Sequence, residues 1–268
     1  MKKPASRLWL PLLFILLLLA LWQYLSSRTV IAFWVLPSPR AVIGVFRDQP
    51  ALLWSHIRPT LIASVSGLLL ATLLGVLTAM AMHSSKLVRQ IFYPYLVVSQ
   101  TVPIIAVAPL IVLWFGYGIS AKVFVVVLMC FFPIALGLFD GLKQVSQEQV
   151  RLLRSMGAGG WKIYRYLKVP ASLPAFFTGL KLSATYSVMG AVIGEWLGGQ
   201  AGLGIYITRS TKSFRTEQVF AAIILIILLS LLLFGIAALL DRLLLGWHYK
   251  KLEEYEDTTG YNPLSQLA

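Results

Sequence analysis

Few side chains in this sequence could do chemistry together. Its three histidines, His56, His83 and His248, fall in different parts of the 268-residue chain, and Cys130 is the single cysteine. A metal centre needs several such ligands around one ion, so no metal site is expected, and one cysteine excludes an intrachain disulfide. A phosphate-binding P-loop requires a Gly-Lys pair, which the sequence lacks. We therefore expect a chain that is not an enzyme and binds no ATP by this route.

Two ionisable residues, Lys181 and Glu195, interrupt a long apolar segment. Charged groups inside a bilayer are costly and normally face the interior of a helix bundle or a water-filled path. On one helix these two would share a face, roughly 21 Å apart along the axis. With Ser183, Tyr186 and Ser187 between them, Glu195 is a candidate for lining a translocation path. The alternative is that Glu195 pairs with a neighbouring loop at the outer interface while Lys181 extends towards the inner one.

A second group of candidates lies in an apolar segment rich in proline. Pro94, Pro103 and Pro109 punctuate this segment, and Gln100 and Thr101 stand just before the middle proline. Proline removes a helical hydrogen bond and kinks or breaks the helix. Backbone freed in this way must face protein or a water-filled cavity within a membrane. Gln100, Thr101 and Pro103 are therefore predicted to line a path, unless the kink serves packing alone.

These residues must be positioned by membrane-spanning helices. Hydrophobic residues make up 58% of the chain and charged residues 12%, against roughly 45–50% and 25% in soluble proteins, and the mean hydropathy is +0.80. This composition excludes soluble, disordered and disulfide-rich classes. The prediction is an all-α, polytopic membrane protein with six transmembrane helices. Each span needs about 20 apolar residues, and the six segments are Leu8–Leu25, Thr60–Met82, Ile91–Phe115, Ala121–Phe139, Pro174–Leu197 and Gln218–Leu240.

The net charge of +13 has an explanation in membrane topology. Basic residues concentrate on the cytoplasmic side of spans, which places the densest basic stretch, residues 143–168, inside together with both termini. No polar segment is long enough for a nucleic-acid-binding domain. The first apolar run is long for a signal peptide and lacks an Ala-x-Ala site, so a retained anchor is expected. The predicted organisation is an anchor with an outer loop (1–59), a five-helix core (60–240) containing a cytoplasmic loop (141–173), and a cytoplasmic tail (241–268).

The cytoplasmic loop predicts a helical hairpin. Gln147–Met156 lacks glycine and proline, and Gly157, Gly159 and Gly160 then allow a sharp turn. Trp161–Val169 follows as a second, basic and aromatic amphipathic stretch, which Pro170 is expected to break. Such a hairpin could dock into a cleft on a cytoplasmic partner, or it could merely hold two spans together.

This loop resembles the Glu-Ala-Ala loop of ABC-importer permeases. The family pattern is Glu-Ala-Ala, three residues, Gly, nine residues, Ile, one residue, Leu-Pro, and Gly157, Leu167, Val169 and Pro170 keep its spacing. Arg151-Leu152-Leu153 stands where the family has Glu-Ala-Ala. The resemblance assigns contact with an ATPase to Glu148, Arg151, Leu152, Leu153, Ser155, Met156, Gly157, Ala158, Trp161 and Pro170.

Other segments resemble the nitrate/sulfonate/taurine-type branch of this family, in the right order. Leu36-Pro37-Ser38-Pro39 resembles the segment that opens the permease domain, and Leu113-Trp114-Phe115-Gly116 resembles the exit of its third span. The remaining matches are Pro103-Ile104-Ile105-Ala106, Phe131-Phe132-Pro133-Ile134, Gly179-Leu180 and Gly202-Leu203-Gly204. The resemblance thus covers nearly the whole chain and implies the type I ABC importer permease fold.

The resemblance also implies partners, in the cytoplasmic (inner) membrane of a bacterium. They would be surrounding lipid, a second permease copy in a homodimer, a dimer of ATPase subunits, and a periplasmic or lipid-anchored solute-binding protein. ATP and Mg²⁺ would be bound by the ATPase, and this chain would hold no cofactor. The solute would be a small organic molecule or anion: nitrate, taurine, an alkanesulfonate or a thiamine-precursor pyrimidine. The alternative is an ion-coupled secondary transporter, for which Glu195 is the one convincing intramembrane acid.

Overall fold

The computed structural model describes residues 9–27, 32–196 and 199–247, and every regular element in these residues is a helix. Helices suit a bilayer, which offers no water to backbone polar groups, because a helix bonds them within one segment. The all-α prediction is confirmed. In chain order the helices are α1 (Trp9–Ser27), α2 (Pro39–Asp48), α3 (Pro50–Ser84), α4 (Lys86–Ser99), α5 (Ile104–Phe115), α6 (Ile119–Lys143), α7 (Gln147–Ser155), α8 (Gly160–Ile163), α9 (Val169–Trp196), α10 (Leu203–Lys212) and α11 (Thr216–Leu244).

Four helical stretches in the described residues are long and apolar enough to cross a membrane. They are α3, α6, α11 and the continuous helix from Gly160 to Trp196, which confirm the second, fourth, fifth and sixth predicted spans. The third predicted span is the pair α4 and α5, bent by 107°. The first corresponds to α1, of which Leu13–Ser26 form an apolar helix shorter than a span. The described residues therefore hold four candidate spans, or five if the bent pair is one span.

The prediction that proline interrupts this segment is confirmed at Pro103, between α4 and α5, and at neither of the other two prolines. Pro103 precedes α5 with an extended backbone, whereas Pro94 and Pro109 lie inside α4 and α5. Residues 100–103 connect the two helices. Proline lacks an N–H and suits the start of a helix, where that donor would have no intrahelical partner.

The predicted break at Pro170 is wrong, because the helix continues through it. A π-helical turn, Tyr164–Lys168, joins α8 to α9, and the Val169 N–H bonds to the carbonyl of Tyr164, five residues earlier. This wider turn rearranges the backbone bonding immediately before Pro170, where the missing N–H would otherwise disrupt it. Pro174, the predicted start of the fifth span, lies inside α9. One helix of 37 residues therefore runs from Gly160 to Trp196, about 55 Å.

Two domain boundaries fall inside helices. The boundary at 59/60 lies within α3, which begins at Pro50 and contains Pro59. The boundary at 240/241 lies within α11, which ends at Leu244. Leu197, His248 and the tail from 248 to 268 lie outside the described residues.

The centre of the bundle is formed by α3, α6 and α9, which pack through small residues. Gly67 of α3 lies against Val126 of α6, and a Cβ atom added to Gly137 of α6 would stand 2.8 Å from the Ala175 carbonyl oxygen of α9. Small residues let helix backbones approach closely in membranes. These contacts place α9 at the centre of the bundle, and α11 packs against α9 and side chains of α3.

Candidate functional site

The predicted hairpin is a capped helix followed by a glycine turn. Ser146 Oγ accepts a hydrogen bond from the Gln149 N–H at 3.2 Å at the start of α7. At its end the Gly157 N–H bonds to the carbonyl of Arg154, and the Ala158 N–H bonds to that of Leu153, both at 2.9 Å. This is a Schellman motif, which needs a left-handed residue after the cap. Gly157 supplies it with a φ of +80°.

The tip of this hairpin presents apolar side chains to solvent. We call residues 147–163 the coupling turn. Met156 is 74% exposed and Trp161 75%, with Leu152 beside them at 62%, whereas Val150 and Ile163 are buried and anchor the turn. Apolar surface of this kind outside the membrane marks a protein-binding site.

The other residues assigned to ATPase contact divide by position. Glu148, Arg151, Ser155 and Gly157 are exposed on the coupling turn. Three are half-buried instead: Leu153, Ala158 and Pro170, the last of which lies in α9. Glu148 forms no salt bridge among the described residues.

At the opposite end of the long helix, Glu195 is completely buried in a polar cluster. Its carboxylate accepts hydrogen bonds from the Thr60 hydroxyl and the Gly204 N–H, both at 2.8 Å. The Lys122 ammonium lies 3.7 Å away and donates to the Ala201 carbonyl at 2.8 Å. A buried carboxylate needs such partners, because an unpaired charge is strongly disfavoured away from water.

This cluster binds the first amides of α10. The Gly202 N–H donates to His56 Nδ1 at 3.1 Å, and the Leu203 N–H donates to Thr60 Oγ1 at 2.9 Å. The start of a helix has four such donors without partners in the helix, and side chains from α3 and α9 satisfy three consecutive ones here. We call His56, Thr60, Lys122 and Glu195 the outer node, after the orientation proposed below.

Gly202 leaves no room for a side chain beside this node. Its φ is +133°, and an added Cβ would overlap the Glu195 carboxylate. The Gly202-Leu203-Gly204 segment, which was singled out by its resemblance to the family, therefore packs its backbone against the Glu195 carboxylate. Sequence reasoning named Glu195 and this landmark separately and missed Lys122, Thr60 and His56 as their partners. The basic residue Lys122, inside the apolar stretch of α6, was the available signal.

The candidate path residues separate into two sets. Ser183, Ser187 and Glu195 have no exposed surface. The buried hydroxyls are satisfied, because Ser183 donates to the Cys130 carbonyl and Ser187 donates to the Ala184 carbonyl. Glu195 bonds to α3 and to the first turn of α10. Three others, Gln100, Thr101 and Pro103, are exposed at the break between α4 and α5, and Tyr186 is half-buried.

Lys181 is paired rather than free to extend to an interface. Its ammonium lies 2.8 Å from the carboxylate of Asp241 on α11, and the Asp241 side chain is 5% exposed. This ion pair joins α9 to α11. Within the described residues no group of three or more His, Cys, Asp or Glu side chains could hold a metal ion.

Comparison with known proteins decides the family. Residues 71–246 match the family described as "Binding-protein-dependent transport system inner membrane component". The chain belongs to this family. It is 40% identical over 242 residues to the formylaminopyrimidine transport permease protein ThiX of Halalkalibacterium halodurans, covering 90% of this chain and 96% of that relative.

Other similar permeases are named for different solutes. The riboflavin transport system permease protein RibX of Chloroflexus aurantiacus is 35% identical, with 87% of this chain and 88% of the relative covered. The taurine transport system permease protein TauC of Escherichia coli is 30% identical, with 86% of each covered. This chain is therefore an ABC importer permease for small solutes and a multi-pass protein of the inner membrane.

Proposed function

We propose that this chain imports a pyrimidine-type nutrient, delivered by an extracytoplasmic binding protein and driven by a separate ATPase. The observation that supports the solute is the 40% identity along almost the full length of a formylaminopyrimidine permease. A permease named for riboflavin, another nitrogen heterocycle, is 35% identical. Two copies of the chain would form the path, and ATP and Mg²⁺ would be bound only by the ATPase.

The coupling turn is proposed as the ATPase contact. Its apolar tip, Leu152, Met156 and Trp161, would enter a cleft on the ATPase, with Arg151, Arg154 and Lys162 around it. The Schellman motif holds this tip in one conformation, so displacement of the turn can be transmitted rather than absorbed. Because the helix from Gly160 continues unbroken to Trp196, a push at the tip would move α9 as one body.

The path is proposed to lie along the break between α4 and α5 and the uncovered face of α9. Gln100 and Thr101 supply polar groups at the break, and Thr178, Leu182 and Thr185 occupy the exposed face of α9. Polar groups and irregular backbone are tolerated at membrane depth where they line protein or water. In this proposal Ser183, Ser187 and Glu195 hold helices together instead.

The proposed orientation places the coupling turn and both termini in the cytoplasm. The coupling turn and the residues that lead from it into α9 carry the densest run of basic residues, which the positive-inside rule assigns to that side. The outer node and α10 then face the binding protein.

A sulfonate is the second candidate solute, favoured by the identity with the taurine permease. Exposed Arg209, Lys212 and Arg215 near α10 would suit an anion or its carrier.

The test is transport in proteoliposomes. The chain is purified from native membranes with the proteins it retains, reconstituted, and supplied with ATP inside and its binding protein outside. We expect ATP-dependent uptake of a labelled formylaminopyrimidine that taurine does not compete away. Uptake of taurine alone would favour the sulfonate. Uptake driven by an ion gradient without an ATPase would favour the secondary transporter.

A further inference from the structure

An apolar groove opens between α3, α6 and α9 near the coupling turn. It encloses about 260 Å³ and is lined by Val76 and Met80 of α3, Leu138 and Leu142 of α6, and Val169 and Phe176 of α9, with Tyr164 at its edge. Met80 and Leu142 lie in the last turns of their helices. We call this the inner groove, and in the proposed orientation it lies at the depth of the cytoplasmic leaflet.

Basic side chains lie next to the inner groove, on the side that faces the cytoplasm in the proposed orientation. Lys168 adjoins the lining residue Val169, and its ammonium lies 2.9 Å from His83 Nε2. The His83 ring packs on Tyr164 with 6.2 Å between ring centroids, and Arg89 lies within electrostatic range of that ring. Tyr164 therefore lines the groove and packs on His83, which with Lys168 and Arg89 we call the basic group.

This basic group has no acidic partner of its own in the part of the chain that the structure describes. The three salt bridges there involve Lys122, Lys143 and Lys181. Lys168 is hydrogen-bonded to His83, and a neutral imidazole nitrogen accepts one hydrogen bond while an ammonium has three to donate. Donors remain for an anionic group at this position.

We propose that the inner groove binds one anionic phospholipid, with an acyl chain in the groove and the phosphate at Lys168. The groove lies on spanning helices, where acyl chains are the surrounding medium, and its lining offers almost no polar surface. Basic pockets between transmembrane helices on the cytoplasmic side bind phospholipid headgroups. The bound lipid would lie between α3 and the π-helical turn that directly follows the coupling turn. This inference rests on the proposed orientation.

The test counts the lipids that the full-length chain retains. Wild type and variants are purified with the ATPase from membranes containing phosphatidylethanolamine, phosphatidylglycerol and cardiolipin, and native mass spectrometry identifies bound lipid. Val76→Phe fills the groove, and Leu77→Phe is its control, because Leu77 is 55% exposed on the same helix and does not line the groove. Lys168→Gln removes the charge, with exposed Lys162→Gln as its control.

We expect one anionic phospholipid per permease chain in the wild type and both controls. Val76→Phe should lose it, and Lys168→Gln should lower its retention about fivefold, the factor for one basic residue at a charged membrane surface. Equal retention in Val76→Phe and Leu77→Phe would overturn the proposal, and so would equal retention of phosphatidylethanolamine. Lipid that binds only after Glu253, Glu254 and Glu256 are changed to Gln would assign the site to the chain's own tail. The count needs no substrate, so it stays informative if the proposed transport fails.

Discussion

The two ends of the helix from Gly160 to Trp196 are held in opposite ways. At the outer end, Glu195 is fully buried and its carboxylate contacts groups from α3, α6 and the start of α10. At the other end, Met156 and Trp161 of the coupling turn are about three-quarters exposed. The turn keeps its shape through its backbone bonds, the Ser146 cap and the buried side chains of Val150 and Ile163. The outer end is thus complete within one chain, whereas the coupling turn is stable but unpartnered.

This difference would let one helix serve both packing and the proposed transmission. A buried polar cluster with all its partners in place resists local opening. A short capped turn resists bending but leaves its apolar surface free for another protein. Substitutions in the outer node should therefore lower the free energy of unfolding. Substitutions in the coupling turn should lower transport and leave the free energy of unfolding nearly unchanged.

The largest effect is expected at the outer node. Glu195→Ala leaves Lys122 buried without its counter-charge and should cost about 3–5 kcal/mol in free energy of unfolding, the range for breaking a buried ion pair. Denaturant unfolding in detergent measures it. Exposed Glu148→Ala is the control, and adding Lys122→Met to Glu195→Ala should recover part of the loss. Equal stability of the two single variants would contradict the outer node as described.

A smaller loss is expected at the pair between α9 and α11. Lys181→Met removes the ammonium that lies 2.8 Å from the Asp241 carboxylate and should cost about 2 kcal/mol, less than for full burial because a quarter of the Lys181 side chain is exposed. The same unfolding measurement applies. Replacing Asp241 with Leu in addition should restore most of this loss, and a double variant less stable than Lys181→Met would argue against the pair.

Gly157→Val tests the inner end. The left-handed backbone there costs about 1–2 kcal/mol for a residue with a Cβ atom, so the Schellman motif should open. Uptake should fall about tenfold, the factor for 1.4 kcal/mol, with little change in global unfolding. Gly159→Val is the matched control, because Gly159 has a φ of −69° and open space around it. Normal uptake by Gly157→Val would remove the turn from the coupling mechanism.

The smallest effect is expected at the cap of α7. Ser146→Ala removes the side-chain acceptor for the Gln149 N–H and should destabilise α7 by about 1 kcal/mol. Hydrogen exchange of the α7 amides should speed up accordingly, while Ser146→Asp should retain protection. Faster exchange spread over α9 as well would show that the two ends are less independent than the structure indicates.

Sequence reasoning succeeded where the information is local. The spans follow from runs of apolar residues, and the turn at Gly157 follows from glycines after a helix-compatible segment. Three features depended on packing and were missed. Residue types do not reveal that a π-helical turn lets the helix continue through Pro170. They also do not reveal the ion pairs of Lys122 with Glu195 and of Lys181 with Asp241.

The candidate path residues also depend on packing, which the sequence does not show. Ser183 and Ser187 look like polar lining in a list of residues, yet both hydroxyls bond to nearby carbonyls inside the bundle. Which face of a helix is covered depends on its neighbours, and α9 has neighbours on most sides. The break at Pro103 was predicted from the sequence, but the sequence did not show that Pro94 and Pro109 would lie inside helices.

The pair of Lys181 and Asp241 also bears on how the protein is made. A lysine within a membrane span is costly to insert alone. Its partner lies 60 residues later in the chain, which at roughly 5–20 residues per second arrives 3–12 seconds afterwards. During that interval the new span carries an uncompensated charge, so α9 is expected to remain beside the insertion machinery until α11 emerges and the two helices enter the bilayer together.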